Sequence, residues 1–335
     1  MRPLISIIMP VYNSAKYLEE TVTSILCQSF DAFELIMIDD GSKDSSGSIC
    51  DRLASTDGRI RVIHQMNGGI SRARNRGLDE ACAEYITFCD HDDVVSPSWL
   101  QNLYDHIQDR DLVISGFCFV RRDDFSPEIF HQNNSCDEEI DIADIDEMKD
   151  LFPRVDAVNN GSVWRQLFRR DIIVRNHLRF EQTEYEDLLF SYQYMLHIDS
   201  LRKISCKDYC HIINPESAGA SHKYIAEYDW IVKMKLLHED INRRFRINDS
   251  LYIHRLLGRY AVHCSSFLLK GYYPECRVSR TERFRRWEEI RGDSWFKSLS
   301  VRDMGGLRNR VVLMACRLRL YKLVDPLFAI MGKYI

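Results

Sequence analysis

Tyr85-Ile86-Thr87-Phe88-Cys89, running directly into Asp90-His91-Asp92-Asp93, is the stretch that most restricts the folds open to this chain. Five mostly apolar residues, β-branched or aromatic in alternation with smaller ones, read as a buried strand. Open α/β sheets bind ligands in the crevice beyond the carboxyl ends of their strands, so Asp90, Asp92 and Asp93 arrive where such folds do chemistry. Carboxylates this close repel one another unless a proton or a cation relieves them. A hard, oxygen-preferring divalent ion that also binds substrate phosphates meets that need. The competing reading is a solvated acidic turn that caps the following helix.

The preceding residues repeat the device. Residues 4–9 form a short apolar run that Pro10 terminates, followed by Tyr12-Asn13 and a helical pattern on Leu18, Val22, Ile25 and Leu26. Residues 33–38 form a second run ending in Asp39-Asp40-Gly41-Ser42, where the glycine permits positive φ and Ser42 or Asp44 can cap the next helix. Residues 60–63 predict a third strand, Asn67-Gly68-Gly69 a loop, and residues 71–75 the start of a helix leading back to Tyr85. Strands alternating with helices at this spacing predict right-handed crossovers and a mostly parallel sheet.

Beyond the acidic cluster, Pro97 starts a helix through Leu100, Leu103 and Ile107, and residues 112–117 read as one further strand. Residues 121–146 are polar, acidic and without period, which predicts a mobile loop beside the sheet. Glu184-Tyr185-Glu186-Asp187 precedes Leu188, Leu189, Tyr192, Met195 and Leu196, which share one helical face. From about Tyr224 onward the signals are helical. The expected division is therefore residues 1–222 and 223–335.

Charge divides the same way. The 335 residues carry a net −5, but residues 241–335 hold 20 Lys/Arg against 8 Asp/Glu, a net +12. A basic third containing Trp287, Trp295 and Phe296, and ending in a segment with Arg310, Arg317, Arg319 and Lys322, suits peripheral contact with an anionic membrane. The plain alternative is an ordinary helical domain, because the last segment does not sort its arginines onto one face. Oligomer contacts are a further use for such helices, and no nucleic-acid motif is recognisable. No run approaches the roughly 18 apolar residues of a membrane span, and a strand beginning almost at Met1 leaves no room for a signal peptide. A cytoplasmic protein, peripheral on the inner face of the cell membrane, is the expectation. Eleven cysteines without a Cys-x-x-Cys pair fit reduced thiols. Cys206, Cys210 and His211 lack the partner pair of a zinc site.

Pro10-Val11-Tyr12-Asn13, Gln28-Ser29-Phe30, Asp39-Asp40-Gly41-Ser42, residues 67–75, Asp90-His91-Asp92-Asp93 and Glu186-Asp187 occur in an order that resembles the family 2 glycosyltransferases. The resemblance implies the α/β GT-A fold, a Rossmann-like, mostly parallel sheet with helices on both faces, followed here by a helical C-terminal domain. It also implies a nucleotide-sugar donor, a UDP-hexose first, a saccharide or lipid-linked saccharide acceptor, and Mn²⁺ or Mg²⁺. Pro10, Tyr12, Asn13, Asp40, Gly69, Arg74 and Asp90 then fall at the donor. Asp92 falls at the metal-bridging position, with Asp90 and Asp93 as ribose or second metal contacts. His222 either completes the metal shell or is a surface histidine.

The chemistry of these residues agrees. Asp40 can accept the imide N–H of a uracil and Tyr12 can stack on its face, although Asp40 also suits plain turn chemistry. Arg74, on a helix after a glycine pair, suits a diphosphate, while Arg72 and Arg76 face elsewhere. His91 sits in a variable slot as an exposed side chain. Asp187 is the expected general base, kept ionised by the helix dipole, or else simply a helix-start residue; Glu186 orients the acceptor or the loop. One base without an enzyme nucleophile implies inversion at the anomeric carbon. Two positions depart from the family pattern: Gln166 replaces a frequent lysine, and the histidines of residues 209–222 are no firm match. Nucleotidyl transfer is a competing reading, against which stands the missing glycine-rich phosphate loop. A nucleotide- or glycan-binding protein without catalysis is another.

Overall fold

The computed structural model describes residues 2–131, 138–158, 161–183, 185–214, 228–273, 276 and 278–331. The chain divides into two compact units, Met1–Ser217 and Ala218–Ile335. The division expected at residue 222 falls in 215–227, outside the described residues.

In the first unit β1 is Ile5–Val11, α1 Leu18–Leu26, β2 Phe33–Asp39, α2 Ser46–Thr56, β3 Ile60–His64, α3 Ile70–Glu80 and β4 Tyr85–Phe88. Then come β5 Val94–Val95, α4 Trp99–Ile107, β6 Leu112–Ile114, β7 Phe117–Arg121, β8 Ile140–Ile142 and α5 Ile145–Val158. The unit closes with β9 Gln166–Arg169, α6 Arg170–Arg175, α7 Glu186–Met195, β10 Leu201–Lys203 and β11 Tyr209–Ile213. An eight-stranded sheet has the order β3-β2-β1-β4-β9-β6-β10-β8, and β5-β11-β7 form a second sheet. β1 runs parallel to β2 and β4, and β2 to β3, so these four strands end on the same side. β9 is antiparallel to both β4 and β6.

All seven residues of β1 are buried, as a strand covered on both faces requires. Ile5, Ile7, Met9 and Val11 share a core with Leu18, Val22 and Ile25 of α1 and Leu100 and Leu103 of α4. On the opposite face Ile8 packs against Gly77 of α3, and its register partner Phe88 meets the rings of Phe168, Phe180 and Phe190.

Pro10 does not end β1, contrary to expectation. Ile8 C=O accepts from Cys89 N–H on the β4 side, whereas Val11 C=O accepts from Asp40 N–H on the β2 side. Pro10 shares the orientation of Ile8, and β4 has stopped at Phe88, so the missing N–H costs no ladder bond. Residues 112–117 are likewise two strands in two sheets, β6 and β7, parted at Ser115-Gly116. There the chain passes close under the carbonyls of Ser205 and Cys206. Within the segment read as a mobile loop, Ile140–Ile142 is an edge strand antiparallel to β10, with both isoleucines buried. α7 is buried on more than one face, at Leu189, Phe190, Ser191, Tyr192, Tyr194 and Met195, because it lies under the sheet's aromatic cluster.

The second unit is helical: α8 Tyr228–Arg244, α9 Ser250–Lys270, α10 Arg280–Gly292, α11 Ser294–Ser298, α12 Leu307–Arg317 and α13 Tyr321–Met331. The aromatics expected to meet a membrane are core instead. Trp287 and Phe296 are buried, Trp287 stacks on Tyr321 at 5.3 Å, and Trp295 Nε1 donates to Glu239 at 2.7 Å. Arg317 caps the carbonyls of Phe296 and Leu299. Their hydrophobic area serves the packing of α10, α11 and α13. Among the described residues no helix is long and apolar enough to cross a membrane.

Candidate active site

The strand order reverses between β1 and β4, which opens a crevice beyond their carboxyl ends. Three loops meet there. After β1, Tyr12 is 40 % exposed and Asn13 adopts φ 50°. Asn13 Oδ1 accepts from Lys43 N–H at 2.8 Å and its own N–H donates to Ser42 Oγ at 3.1 Å, which ties this loop to the turn after β2. Pro10 is inside β1, one residue short of that loop.

Asp40 is buried, and its carboxylate accepts N–H bonds from Gly69 at 2.8 Å and Gly68 at 3.0 Å, and from Gln65 Nε2 at 2.7 Å. It fixes the turn that launches α3, with Gly69 at φ 87° as the N-cap of that helix. The turn chemistry weighed for Asp40 is thus present, with its acceptor positions used inside the protein. Asp39 does similar work, accepting from Ser42 N–H at 3.0 Å and facing His64 Nδ1 at 2.8 Å.

Arg74 is the hub. Its guanidinium is 2 % exposed, donates to Glu186 Oε1 at 2.7 Å, lies 3.3 Å from Asp90 Oδ1 and covers the Phe180 ring at 5.3 Å. Burial works against its charge, but Asp90, Glu186 and Asp187 outweigh burial and raise its pKa. Its Nε is buried without a hydrogen-bond partner among the described residues. Arg72 and Arg76 are exposed, Arg76 pairing with Glu80 at 2.8 Å. Glu186 therefore orients Arg74 rather than standing alone.

Asp187, beside Glu186 in the first turn of α7, corrects a sequence expectation. Burial, then the charge of Glu186, push its carboxyl up to about 7, against the pull of Arg74 and the Leu188 N–H. The helix dipole does not keep it firmly ionised, because desolvation is the larger effect. A carboxyl that titrates near neutrality is poised for proton transfer. The approach to this turn is tight. Gly161 has φ 74°, and a Cβ there would fall 2.8 Å from Leu188 Cα. Gly161→Ala is expected to cost about 1–3 kcal/mol through strain and overpacking and to slow catalysis by displacing Glu186 and Asp187. Thermal melting and turnover check this together; an unchanged melting point and rate would show that the contact yields freely.

The acidic triplet separates into three environments. Asp90 points to Arg74. Asp92 Oδ2 accepts from Asn214 Nδ2 at 2.8 Å, its backbone carbonyl accepts from Arg122 Nη2 at 2.9 Å, and Oδ1 faces His91 Nδ1 at 3.9 Å. Asp93, expected among the metal contacts, is fully buried. It accepts from Tyr209 O–H and Ile212 N–H, both at 2.8 Å, and faces His211 Nδ1 at 3.2 Å. Burial pushes its pKa up to about 6. With those positions filled, Asp93 is a strut between β11 and the acidic turn. Asp90 and Asp92 keep accessible carboxylate surface, 24 % and 17 % of the side chain. This is the hard oxygen set that Mg²⁺ or Mn²⁺ takes beside substrate phosphates. Among the described residues no three His, Cys, Asp or Glu side chains gather as a metal cluster on their own. His222 lies outside the described residues.

Gln166 is fully buried, accepting from Ser191 Oγ at 3.0 Å and donating to Ser162 C=O at 3.2 Å. It joins β9 to α7 and offers nothing to a phosphate. The sequence likens the segment from Tyr209 and His211 to residue 222 to a loop that closes over the donor, and it gives no sign of the parts played by Asn214 and Arg122. Trp164 stacks on Tyr209 at 4.4 Å and on His211 at 5.8 Å, and Arg122 Nε donates to Asn214 Oδ1 at 3.0 Å. The alternation Tyr209-Cys210-His211-Ile212 signals a strand, but nothing local says that it supports Asp90–Asp93. The ten described cysteines are free.

The parallel core, the switch-point crevice and the acidic turn after β4 define a GT-A transferase domain. The chain belongs to glycosyl transferase family 2, whose pattern it matches over residues 6–173. It is 46 % identical over 112 residues to the glycosyltransferase GlyG of Streptococcus pneumoniae, covering 33 % of this chain and 37 % of GlyG. The uncharacterized glycosyltransferase EpsJ of Bacillus subtilis is 35 % identical over 208 residues, 61 % of this chain and 57 % of EpsJ. The chain thus spans from about a third to somewhat over half of the length of these relatives. Crystal structures of S. aureus TarS 1-349 with UDP-GlcNAc and with UDP align over 100 % of this chain and 93 % of theirs. Their TM-scores are 0.65 and 0.64 at 19 % identity, a likeness of fold.

Proposed function

We propose that this protein moves a hexose from a UDP-sugar to a hydroxyl of a saccharide or lipid-linked saccharide, with inversion at the anomeric carbon. The observation that carries the proposal is the Arg74 hub. One buried guanidinium gathers Asp90 after β4 and Glu186 of α7, beside an Asp187 carboxyl that titrates near neutrality.

Tyr12, exposed above the crevice, offers a ring for the base to stack on, while the Gly68-Gly69 turn held by Asp40 shapes the entry to α3. Asp92, aimed by Asn214, and Asp90 would hold Mn²⁺ or Mg²⁺ together with the diphosphate. When bound, the ion supplies positive charge against the negative charge that grows on the departing nucleoside diphosphate. Asp187 takes the proton of the acceptor hydroxyl as that oxygen attacks the anomeric carbon from the face opposite the leaving group. The C–O bond to the new oxygen forms as the bond to the diphosphate breaks. Glu186 and Arg74 hold Asp187 in its electrostatic setting and close its back to water.

The sign of the pH dependence follows. Below about 7 Asp187 carries its proton and cannot act as base; above it the carboxylate is free. Transfer is expected to rise with pH through about 7 and then level, measured as kcat/KM for product formation with the full chain. An acidic limb near the ordinary carboxylate value instead would contradict the raised pKa of Asp187, and a profile without an acidic limb would remove Asp187 from the base role.

A further inference from the structure

The second unit holds a cleft of about 1230 Å³ between one side of α9 and the turn at residues 300–305. Leu251, Val262 and Val301 line it and are 62 %, 44 % and 51 % exposed, so apolar surface faces water there. Arg255, Arg259 and Arg302 line the same cleft. Among the described residues Arg255 and Arg302 have no ion pair. Asp303 is the acidic group of the described lining, and its charge is spent inward. It is buried, accepts from Ser300 N–H at 2.6 Å and faces His254 Nδ1 at 2.9 Å. Burial, then the charges of Arg259, His238 and Lys270, hold the His263 pKa down to about 4. The chain leaves the cleft at Gly305, against Val262, and enters α12 with Leu307 79 % exposed and Arg308 and Arg310 exposed.

Apolar side chains and long arginines lining one cleft match a phosphate-headed, hydrocarbon-bodied surface. The stems of the arginines can lie along hydrocarbon while their guanidinium groups meet phosphate. We propose that this cleft docks the protein on a membrane bearing anionic phospholipid. Leu251, Val262 and Val301 enter the acyl boundary, and Arg255, Arg259 and Arg302 meet the phosphates. The docking residues belong to the second unit, and their role does not depend on which sugar is moved.

Co-sedimentation of the full chain with vesicles tests this. Binding is expected with phosphatidylglycerol in phosphatidylcholine, not with phosphatidylcholine alone, and should weaken as salt rises. Arg255→Gln with Arg302→Gln should lower partitioning roughly 30-fold, from about a fivefold loss per basic residue. Arg255→Lys with Arg302→Lys should retain binding, and Leu251→Ser with Val301→Ser should lose it. Melting points and UDP titrations of all variants should match the parent, which separates failure here from failure of the transfer reading. Three results would overturn the proposal: parental vesicle binding by the glutamine pair, equal binding to neutral vesicles, or displacement from vesicles by inorganic pyrophosphate or a single-stranded oligonucleotide at comparable concentration.

Discussion

Replacing Asp187 by asparagine is expected to slow sugar transfer by ~10²–10⁴-fold, the usual worth of a general base, while leaving donor binding intact. Asparagine keeps the Oδ1 that accepts the Leu188 N–H at 2.7 Å, so the local geometry is preserved. Stability should respond to the same carboxyl. The folded pKa of about 7 lies above the unfolded value of 3.8, so the native state prefers the protonated form, and stability from this group declines as pH rises through that window. At pH 8 the neutral amide removes the cost of a buried charge, and melting should hold steady or rise. If Asp187 only started the helix, transfer would be normal, because asparagine serves a helix start about as well as aspartate.

Arg74→Met is the second large expectation, and its effect is on the fold as well as on the site. Removing a buried guanidinium leaves Glu186, Asp90 and Asp187 facing one another without a counter-charge. Asp90 and Glu186 keep 24 % and 15 % of their side chains exposed, which places the loss at the lower end of the range for broken buried pairs, about 3 kcal/mol. For a unit of this size that lowers the melting point by roughly 6–12 °C. The loss should shrink as pH falls from 8 to 5, because protonation of Asp187 then removes one of the three facing charges. Arg74→Met with Glu186→Gln should recover part of it. A pH-independent loss, unaltered by the second substitution, would mean that Arg74 acts through packing on Phe180 alone.

Much of the fold is legible because its signals are local. The apolar runs of β1, β2 and β4, each followed by a polar turn, specify a parallel core and its binding edge. What was misread depends on pairing. Pro10 is tolerated inside β1 only because β4 stops at Phe88, and residues 112–117 split because Gly116 lets the chain pass under Ser205 and Cys206. At the site, the motif residues occupy the crevice, yet their roles follow from partners far away in sequence. Asp93 is withdrawn by Tyr209 and Ile212, Asp40 by Gly68 and Gly69, and Asp187 is set by Arg74 and Glu186. The aromatic residues of the basic third look like membrane anchors in the sequence, but Trp287 and Phe296 are spent on packing. The cleft that we propose for docking is lined from α9 and the turn at residues 300–305, where no aromatic drew notice.

The central claim is that one crevice holds a nucleoside diphosphate through Asp92 and a metal, and activates the acceptor through Asp187. Calorimetric titration of UDP, with and without Mn²⁺, into the parent chain, Asp92→Asn and Asp187→Asn tests it most directly. The account predicts Mn²⁺-enhanced binding in the parent and in Asp187→Asn, and loss of the enhancement in Asp92→Asn with the fold retained. Undetectable UDP binding by the parent, or an enhancement unchanged in Asp92→Asn, would contradict it.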